Sequence, residues 1–227
     1  MMTDTSLNAF LQARADDPAV RLFSDTTAAV RSDANYLARE DDLAAAAFLD
    51  AETPSDLASD ALDHVLARIE AAGAADERAA SRAAYGDTTV AEIAALPSPV
   101  REAALAALEH DRWRFGSVGL RRLPLDLGAT HCELMRIEAG RGSAPHDHAG
   151  DELTLILTGA YFDGHADYGP GDVSLARKGF VHTPKAKPGA VCYVLAVTYG
   201  DARFKGVIGL LQALIGFPWT PKPARAR

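Results

Sequence analysis

The chain has 227 residues, of which 48% are hydrophobic and 24% charged, and its formal net charge is −8 at pH 7. This composition is typical of a globular protein, long enough for one large domain or two modest ones. No apolar run approaches the ~20 residues of a membrane span, the N-terminus lacks signal-peptide character, and Cys132 and Cys192 alone make no disulfide framework, so we expect a cytoplasmic protein.

The charge is spread unevenly along the chain. Residues 1–110 contain 20 acidic and 8 basic side chains, a net charge of −12, whereas residues 111–227 contain 11 acidic and 15 basic ones, a net charge of +4. This asymmetry predicts two units, which we place at residues 1–80 and 81–227. An acidic first unit repels nucleic acid and attracts a basic protein. A soluble, alanine-rich helical face explains the same charges equally well.

The first unit is predicted to be helical. Its clearest helix follows Ser59, a capping residue, and ends before Gly73. Two further helices are predicted near Leu7–Arg14 and Tyr36–Asp50. The apolar side chains of the clearest helix repeat at helical spacing and form one stripe, consisting of Leu62, Val65, Leu66 and Ile69.

The second unit begins as helix and continues as short strands. The segment TVAEIAALPSPVREAALAAL reads as a helix broken near Pro97 and Pro99. From Trp113 onward, short apolar runs alternate with Gly, Pro and Asp, which is typical of an all-β sandwich or barrel. An apolar helix, KGVIGLLQALIGF, follows. We therefore expect an α+β, mainly β chain: a small helical domain followed by a jelly-roll β-barrel with a C-terminal helix.

Four side chains in the predicted barrel have the spacing of metal ligands. The stretch from Gly140 to Gly159 follows the pattern G-x5-H-x-H-x3-E-x6-G. On an extended segment, side chains an even number of residues apart point to the same side, so His146 and His148 do so, and Glu152 has the same even spacing. A fourth ligand is predicted at His182, on the segment that returns after the turn ending at Asp172. Imidazoles and a carboxylate together suit a divalent transition metal.

This pattern is the signature of the cupin family, although the second cupin motif, usually Pro-x-Gly-x2-His, is loosened here. The chain as a whole resembles the ChrR-type anti-sigma factors. ALDHVLARIE is similar to the last helix of their anti-sigma domain, and HDHAGDELTLILTGAYFD, YGPGDV and HTP are similar to their cupin domain. The resemblance covers roughly residues 55–217 and is strongest over residues 140–184.

The resemblance implies a function, a partner and a cofactor. The N-terminal helices would clasp an extracytoplasmic-function sigma factor, and the metallo-cupin would be needed for its release on an oxidative signal such as singlet oxygen. No direct contact with nucleic acid or membrane is implied, and a homodimer stays open. The metal would be zinc, with iron, manganese and nickel as alternatives, and its ligands would be His146, His148, Glu152 and His182.

One part of the family pattern is missing. The anti-sigma domain of the family often binds a second zinc through His-x3-Cys-x2-Cys, but the corresponding region here, SDANYLARED, has neither Cys nor His. His64 is the only histidine before residue 110, and a lone histidine cannot build a tetrahedral site. We therefore expect the N-terminal helices to be zinc-free and held by apolar packing.

Two other functions remain open from the sequence. A metal held by three His and one Glu is also the centre of cupin dioxygenases and isomerases, with Tyr161, Asp163 and Tyr168 as candidate residues at the barrel mouth. No general base stands out, so we predict no catalytic residue. A small-ligand sensor without a sigma partner is the third candidate, because fold does not decide function. His165 is predicted near the mouth, and Cys192 is placed to line the cavity, which leaves a redox role open.

Overall fold

The computed structural model describes residues 4–33 and 89–206. The predicted helices over Tyr36–Asp50 and after Ser59, the C-terminal helix and the predicted boundary between residues 80 and 81 lie outside these ranges. The described helices are α1 (Asp4–Gln12), α2 (Pro18–Ser32) and α3 (Ser98–His110), and residues 89–94 are also helical.

The described strands all follow α3 in the chain. They are β1 (Arg114–Ser117), β2 (Leu120–Leu125), β3 (His131–Ile137), β4 (His146–His148), β5 (Glu152–Thr158), β6 (Tyr161–Phe162), β7 (Asp167–Tyr168), β8 (Val173–Ala176), β9 (Lys185–Ala186), β10 (Cys192–Thr198) and β11 (Ala202–Phe204).

Helix α1 corresponds to the helix predicted near Leu7–Arg14, and the predicted helix break at Pro97 and Pro99 is confirmed. Helix α2 was not predicted, although its start carries a clear signal. The Ala19 amide donates to Asp17 Oδ1 at 2.9 Å, and Pro18 occupies the first turn, where a missing amide hydrogen costs nothing. Tertiary packing then holds the helix through its buried apolar side chains Val20, Phe23 and Val30.

Among the described residues, three antiparallel sheets build the β-rich, cupin-like part of the chain. The largest has the strand order β1-β2-β3-β10-β5-β8, and the smaller ones have the orders β11-β4 and β7-β6-β9. All strand pairs are antiparallel. Backbone hydrogen bonds between His146 and His182 in both directions, at 3.0 and 2.9 Å, tie β4 to the segment before β9. The sheets thereby surround a chamber lined by residues of β1, β2, β3, β4, β5, β6, β10 and β11.

The six-stranded sheet separates two cores, because side chains alternate between its faces. Its outer face packs under the helices, and its inner face lines the chamber. The outer core combines residues of both parts of the chain, among them Val20, Phe23, Val30, Ile93, Val100, Leu134, Leu153, Leu155, Leu195 and Val197. The inner core is smaller and contains Leu120, Ile137, Ile156, Tyr161, Ala186, Cys192 and Val194.

Polar contacts fasten the helices to the sheet. Asp17 accepts from Thr130 Oγ1 at 2.5 Å and from the Tyr199 hydroxyl at 3.0 Å, and Arg31 Nε donates to the Gly171 carbonyl at 2.8 Å. The apolar side chains of α2 (Val20, Phe23 and Val30) are buried against the barrel, so α1 and α2 share one core with the β-rich part.

Within the described ranges no helix has the length and apolar character needed to cross a membrane.

Glu92 anchors the helical residues 89–94 to the sheet. Its carboxylate accepts two hydrogen bonds from Arg136, at 2.8 and 3.1 Å, and one from the Tyr193 hydroxyl at 2.7 Å. Burial alone would raise the pKa of Glu92, but the hydrogen bonds from Arg136 and Tyr193 hold that pKa below its ordinary value. A carboxylate with a depressed pKa stabilises the fold above its unfolded pKa, and this stabilisation is lost as pH falls through the folded pKa.

We predict that Glu92→Gln lowers the free energy of unfolding by about 1–3 kcal/mol at pH 7, measured by urea denaturation. The difference from the wild type should begin to shrink as pH falls below the ordinary glutamate pKa of about 4.3, and it should vanish only below the depressed pKa of folded Glu92. Glu109→Gln is the matched control, because the Glu109 side chain is 74% exposed. Equal losses in the two variants, or a loss independent of pH, would contradict this anchor.

Candidate metal centre

The four predicted ligands lie together, with His146, His148 and Glu152 lining the chamber and His182 in contact with both histidines. His146 and His148 are the two ends of β4, Glu152 begins β5, and His182 reaches the site from the segment bonded to His146. All four side chains are buried, with 2–6% exposure. The even spacing of His146, His148 and Glu152 brings their side chains to one side, as predicted from the sequence.

Gly150 makes the turn between β4 and β5 feasible. A Cβ atom at this position would overlap the carbonyl oxygen of Tyr199, so only glycine lets the turn approach the end of β10 so closely. The Tyr199 amide donates to the Asp151 carbonyl at 2.8 Å across this contact. The close approach sets where Glu152 enters β5.

The ligand atoms converge on one point. Nε2 of His182 lies 3.1 Å from Nε2 of His146 and 3.2 Å from Nε2 of His148. Nε2 of His148 lies 3.1 Å from Oε2 of Glu152, and Nε2 of His182 lies 3.8 Å from its Oε1. The three imidazoles form a group able to hold a metal ion.

These spacings fit a shared cation better than hydrogen bonds alone. Nε2 of His182 carries at most one proton, yet two other imidazole nitrogens lie at hydrogen-bond distance from it. Zinc–nitrogen bonds of about 2.0–2.1 Å in a tetrahedron place the ligand atoms about 3.4 Å apart, close to the observed separations. The donor set therefore suits a divalent transition metal.

Neighbouring groups orient the ligands. Nδ1 of His146 donates to the Ala144 carbonyl at 2.8 Å, which leaves its Nε2 lone pair facing the site. Glu152 accepts from Thr154 Oγ1 at 3.1 Å and from Thr198 Oγ1 at 3.2 Å, one hydroxyl on each carboxylate oxygen. The hydroxyls fix the direction of the carboxylate, and the carbonyl selects the tautomer of His146.

Asp147 points away from the site and secures β4. Its carboxylate pairs with Arg203 and Lys205, each at 2.8 Å. Burial alone would raise the pKa of Asp147, but the hydrogen bonds from Lys205 and Arg203 hold that pKa below its ordinary value. The two ion pairs lock β4 to β11, and thereby hold His146 and His148 in register.

The charge states of the ligands suit metal binding. Burial lowers the pKa of His146 to about 4, with His182 adding to the effect, so the ring is neutral at neutral pH. Burial alone would raise the pKa of Glu152, but His148 more than offsets this and the pKa lies below its usual range. Burial alone would lower the pKa of His148, but the Glu152 carboxylate beside it raises that pKa above its ordinary value. The site therefore offers a carboxylate and a neutral His146 imidazole at neutral pH.

Several other predicted positions have different roles. Tyr161 and Asp163 are 1% and 3% exposed, so neither stands at a mouth, and this expectation was wrong. Asp163 accepts from two backbone amides and from the Tyr168 and Ser174 hydroxyls, which makes it a structural hub. His165 is exposed and lies 2.9 Å from the Val181 carbonyl through its Nε2. Cys192 is buried in the inner core, as a small apolar residue would be.

Sequence reasoning missed a second polar cluster in the chamber, formed by Arg122, His131 and Glu133, which we call the chamber cluster. Arg122 Nη1 lies 3.4 Å from Glu133 Oε1, and His131 Nε2 lies 3.1 Å from Glu133 Oε2. The signal was present at the start of β3, where His131, Cys132, Glu133 and Leu134 alternate between polar and apolar side chains. That alternation shows that the strand has two faces but does not tell which face meets water.

Comparison with known proteins agrees with this architecture. Residues 101–200 match the family model described as the ChrR cupin-like domain. The anti-sigma-E factor ChrR of Cereibacter sphaeroides is 35% identical over 113 residues, which are 49% of this chain and 53% of that protein. The match thus spans about half the length of that relative.

A solved structure extends the similarity to more of the chain. Rhodobacter sphaeroides SigE in complex with the anti-sigma ChrR aligns with 87% of this chain and 97% of that chain, at 28% identity and a TM-score of 0.51. The predicted fold, short N-terminal helices followed by a cupin-like domain, is confirmed, as is the resemblance to ChrR.

We predict that replacing His146 and His148 together with Ala abolishes metal binding, because two of the four ligands are removed and each ligand helps to orient the others. Elemental analysis of the purified full-length protein measures this, with about one metal ion per chain expected for the wild type. The exposed His110→Ala serves as the control and should keep the metal. Undiminished metal in the double variant would exclude this site.

Proposed function

We propose that this chain, which carries a ChrR cupin-like domain over residues 101–200, is an anti-sigma factor that holds an extracytoplasmic-function sigma factor inactive. The observation that carries the proposal is the alignment with 97% of a chain from the solved complex of SigE with the anti-sigma ChrR. That alignment includes more than the cupin-like domain, since it covers 87% of this chain. Release of the sigma factor would follow an oxidative signal received by a metal-bound cupin.

We assign partner binding to residues 1–80 and signal reception to residues 81–227. The stripe of α2 is not a free docking surface, because Val20, Phe23 and Val30 are buried in the core shared with the barrel. The remaining candidate is the predicted stripe that includes Leu66, which lies outside the described residues. The −12 charge of residues 1–110 would steer a basic surface of the partner toward it.

The metal would connect three separate segments of the barrel. Zinc is our proposal for the metal, on the donor set of three imidazoles and one carboxylate. When bound, it would supply a fixed point shared by β4, the start of β5 and the segment carrying His182. A signal that displaced one ligand would change how these segments are held together, which is the kind of local event that switches use.

A continuous route of contacts leads from this centre to helix α2. Thr198 donates to the Glu152 carboxylate from the inner face of β10. The next residue, Tyr199, faces the helices and donates to Asp17, the residue that caps α2. The Tyr199 ring also contacts Phe10 of α1, with the ring centroids 5.9 Å apart. Movement of Glu152 would therefore be felt at the junction of α1 and α2.

The geometry favours a regulator over the enzyme alternative. The chamber that includes the metal centre has a volume of about 50 Å³, and the share of one water molecule in the liquid is about 30 Å³. A typical ligand pocket is several times larger, about 300–1,000 Å³. The chamber thus admits only a molecule of a few atoms, and the proposed mouth residues Tyr161 and Asp163 are engaged in packing and hydrogen bonds.

We predict that Leu66→Asp abolishes repression of the cognate sigma factor, because it places a charge in the packed surface assigned to the partner. Glu152→Ala should keep repression but lose induction by singlet oxygen, because it removes only a metal ligand. A sigma-dependent reporter in cells measures both properties. His64→Asp, on the polar side of the same predicted helix, is the control for Leu66→Asp. Repression unaffected by Leu66→Asp, or normal induction with Glu152→Ala, would contradict this division.

We further predict that Tyr199→Phe weakens induction while repression is kept, because it removes only the hydroxyl that joins β10 to Asp17. Tyr168→Phe is the matched control, since it also deletes a hydrogen bond to an aspartate, Asp163, but one away from the helices. The same reporter, titrated with the photosensitiser that generates singlet oxygen, gives the dose for half-maximal induction. Equal doses for the two variants would argue against this route.

A further inference from the structure

The chamber cluster lies inside the barrel, next to the proposed metal centre. The Arg122 and Glu133 side chains are 10% and 6% exposed, and His131 is 17% exposed. All three line the same chamber as His146, His148 and Glu152. Burying such groups has a cost in desolvation, so their presence at this end of the barrel needs an explanation.

Strand register sets the distance between the cluster and the metal ligands. Thr198 of β10 is paired with Glu152 of β5 on one side and with His131 of β3 on the other. Three adjacent strands therefore present Glu152, Thr198 and His131 in one row. Since neighbouring strands lie about 4.8 Å apart, the backbones of the outer two residues in this row are separated by about 10 Å. The side chains of both outer residues line the same chamber.

A purely structural ion pair explains the cluster poorly. The other inward residues of β2 and β3, Leu120, Met135 and Ile137, are apolar and line the same chamber. A buried ion pair is often no more stabilising than apolar residues of similar size. In addition, neither Glu133 Oε2 nor His131 Nε2 has a well-directed hydrogen bond within the described part of the chain, although the two atoms are 3.1 Å apart. Buried polar atoms of this kind point to a missing ligand.

Charge and volume define the class of that ligand. Imidazoles that bind a metal are neutral, so the fixed charges of the cluster and the metal centre are one positive charge, from Arg122, and two negative charges, from Glu133 and Glu152. A divalent metal brings the chamber to a net charge of +1, which is unfavourable in a buried site unless an anion balances it. A volume of about 50 Å³ restricts that anion to a few heavy atoms.

We propose that the chamber cluster and the metal centre together bind a small monoanion of the size of formate, nitrite or hydrogencarbonate. One atom of the anion faces the metal, and the Arg122 guanidinium donates to the other end. This inference rests on the metal centre of the proposed function and adds a ligand to it. Glu133 lowers the affinity for the anion, because its negative charge offsets the positive charge of Arg122.

Formate is the probe, and the full-length protein loaded with cobalt(II) is the sample. The visible absorption bands of cobalt(II) report changes in its coordination without any assay of activity. Two variants alter the cluster in opposite directions. Replacing Arg122 with Met and Glu133 with Leu in one protein removes both charges and leaves an apolar wall like that made by Leu120. The isosteric Glu133→Gln removes only the negative charge.

Formate should shift the wild-type bands in a saturable way at pH 7. The double variant should need at least about tenfold more formate for half-saturation, because a charge-assisted hydrogen bond is lost. Glu133→Gln should need less than the wild type. Arg121→Met, on the opposite face of β2, is the control and should behave as the wild type. Each variant is first checked for stoichiometric cobalt.

Cobalt bound without any formate response in the wild type would overturn this inference alone, as would equal half-saturation in all the proteins. If the double variant fails to fold, the Glu133→Gln variant alone tests the proposal. Formate binding by Glu133→Gln that is unchanged or weaker than in the wild type contradicts the proposal. A wild type that takes up no cobalt would overturn the metal centre and this inference together, while repression of the sigma factor could still be intact.

Discussion

The alternation of side chains across the six-stranded sheet is the constraint on which the rest of the molecule depends. One face of the sheet is apolar and covered by α1, α2, the helical residues 89–94 and α3, and the other face encloses the chamber. Residues next to each other in β10 therefore serve different purposes: Thr198 holds the Glu152 carboxylate, and Val197 packs in the outer core. Because the period of a strand is two, a shift in register by one residue would exchange the two environments.

This arrangement explains how a change inside the barrel can reach the helices. Thr198 and Tyr199 are consecutive, so the metal centre and the cap of α2 are joined through one peptide unit and two hydrogen bonds. The neighbouring pair Thr130 and His131 repeats the pattern, with Thr130 bonded to Asp17 and His131 in the chamber cluster.

The sequence predicted the barrel and its four candidate ligands because their signals are local. The prediction of His146, His148 and Glu152 as ligands used only their even spacing along an extended segment. His182 was predicted because it follows a recognisable turn. Helix α2 was missed because its middle, Ser-Asp-Thr-Thr, has little helical propensity, and packing overrides it. The Thr27 hydroxyl donates to the Phe23 carbonyl at 2.7 Å, which allows Thr27 to be buried. The chamber cluster was missed because the alternation of polar and apolar side chains at the start of β3 shows only that the strand has two different faces. Which face the helices cover depends on contacts with residues distant in sequence.

The central claim is that this metal-bound barrel governs a sigma factor held by the same chain. Native mass spectrometry of the full-length protein, co-expressed with the extracytoplasmic-function sigma factor of its own genome, measures partner and metal in a single species. We predict one sigma factor and one divalent metal ion per chain, with the sigma factor released after exposure to singlet oxygen. A metal-loaded protein that carries no sigma factor would contradict this prediction, as would a complex that stays intact after exposure to singlet oxygen.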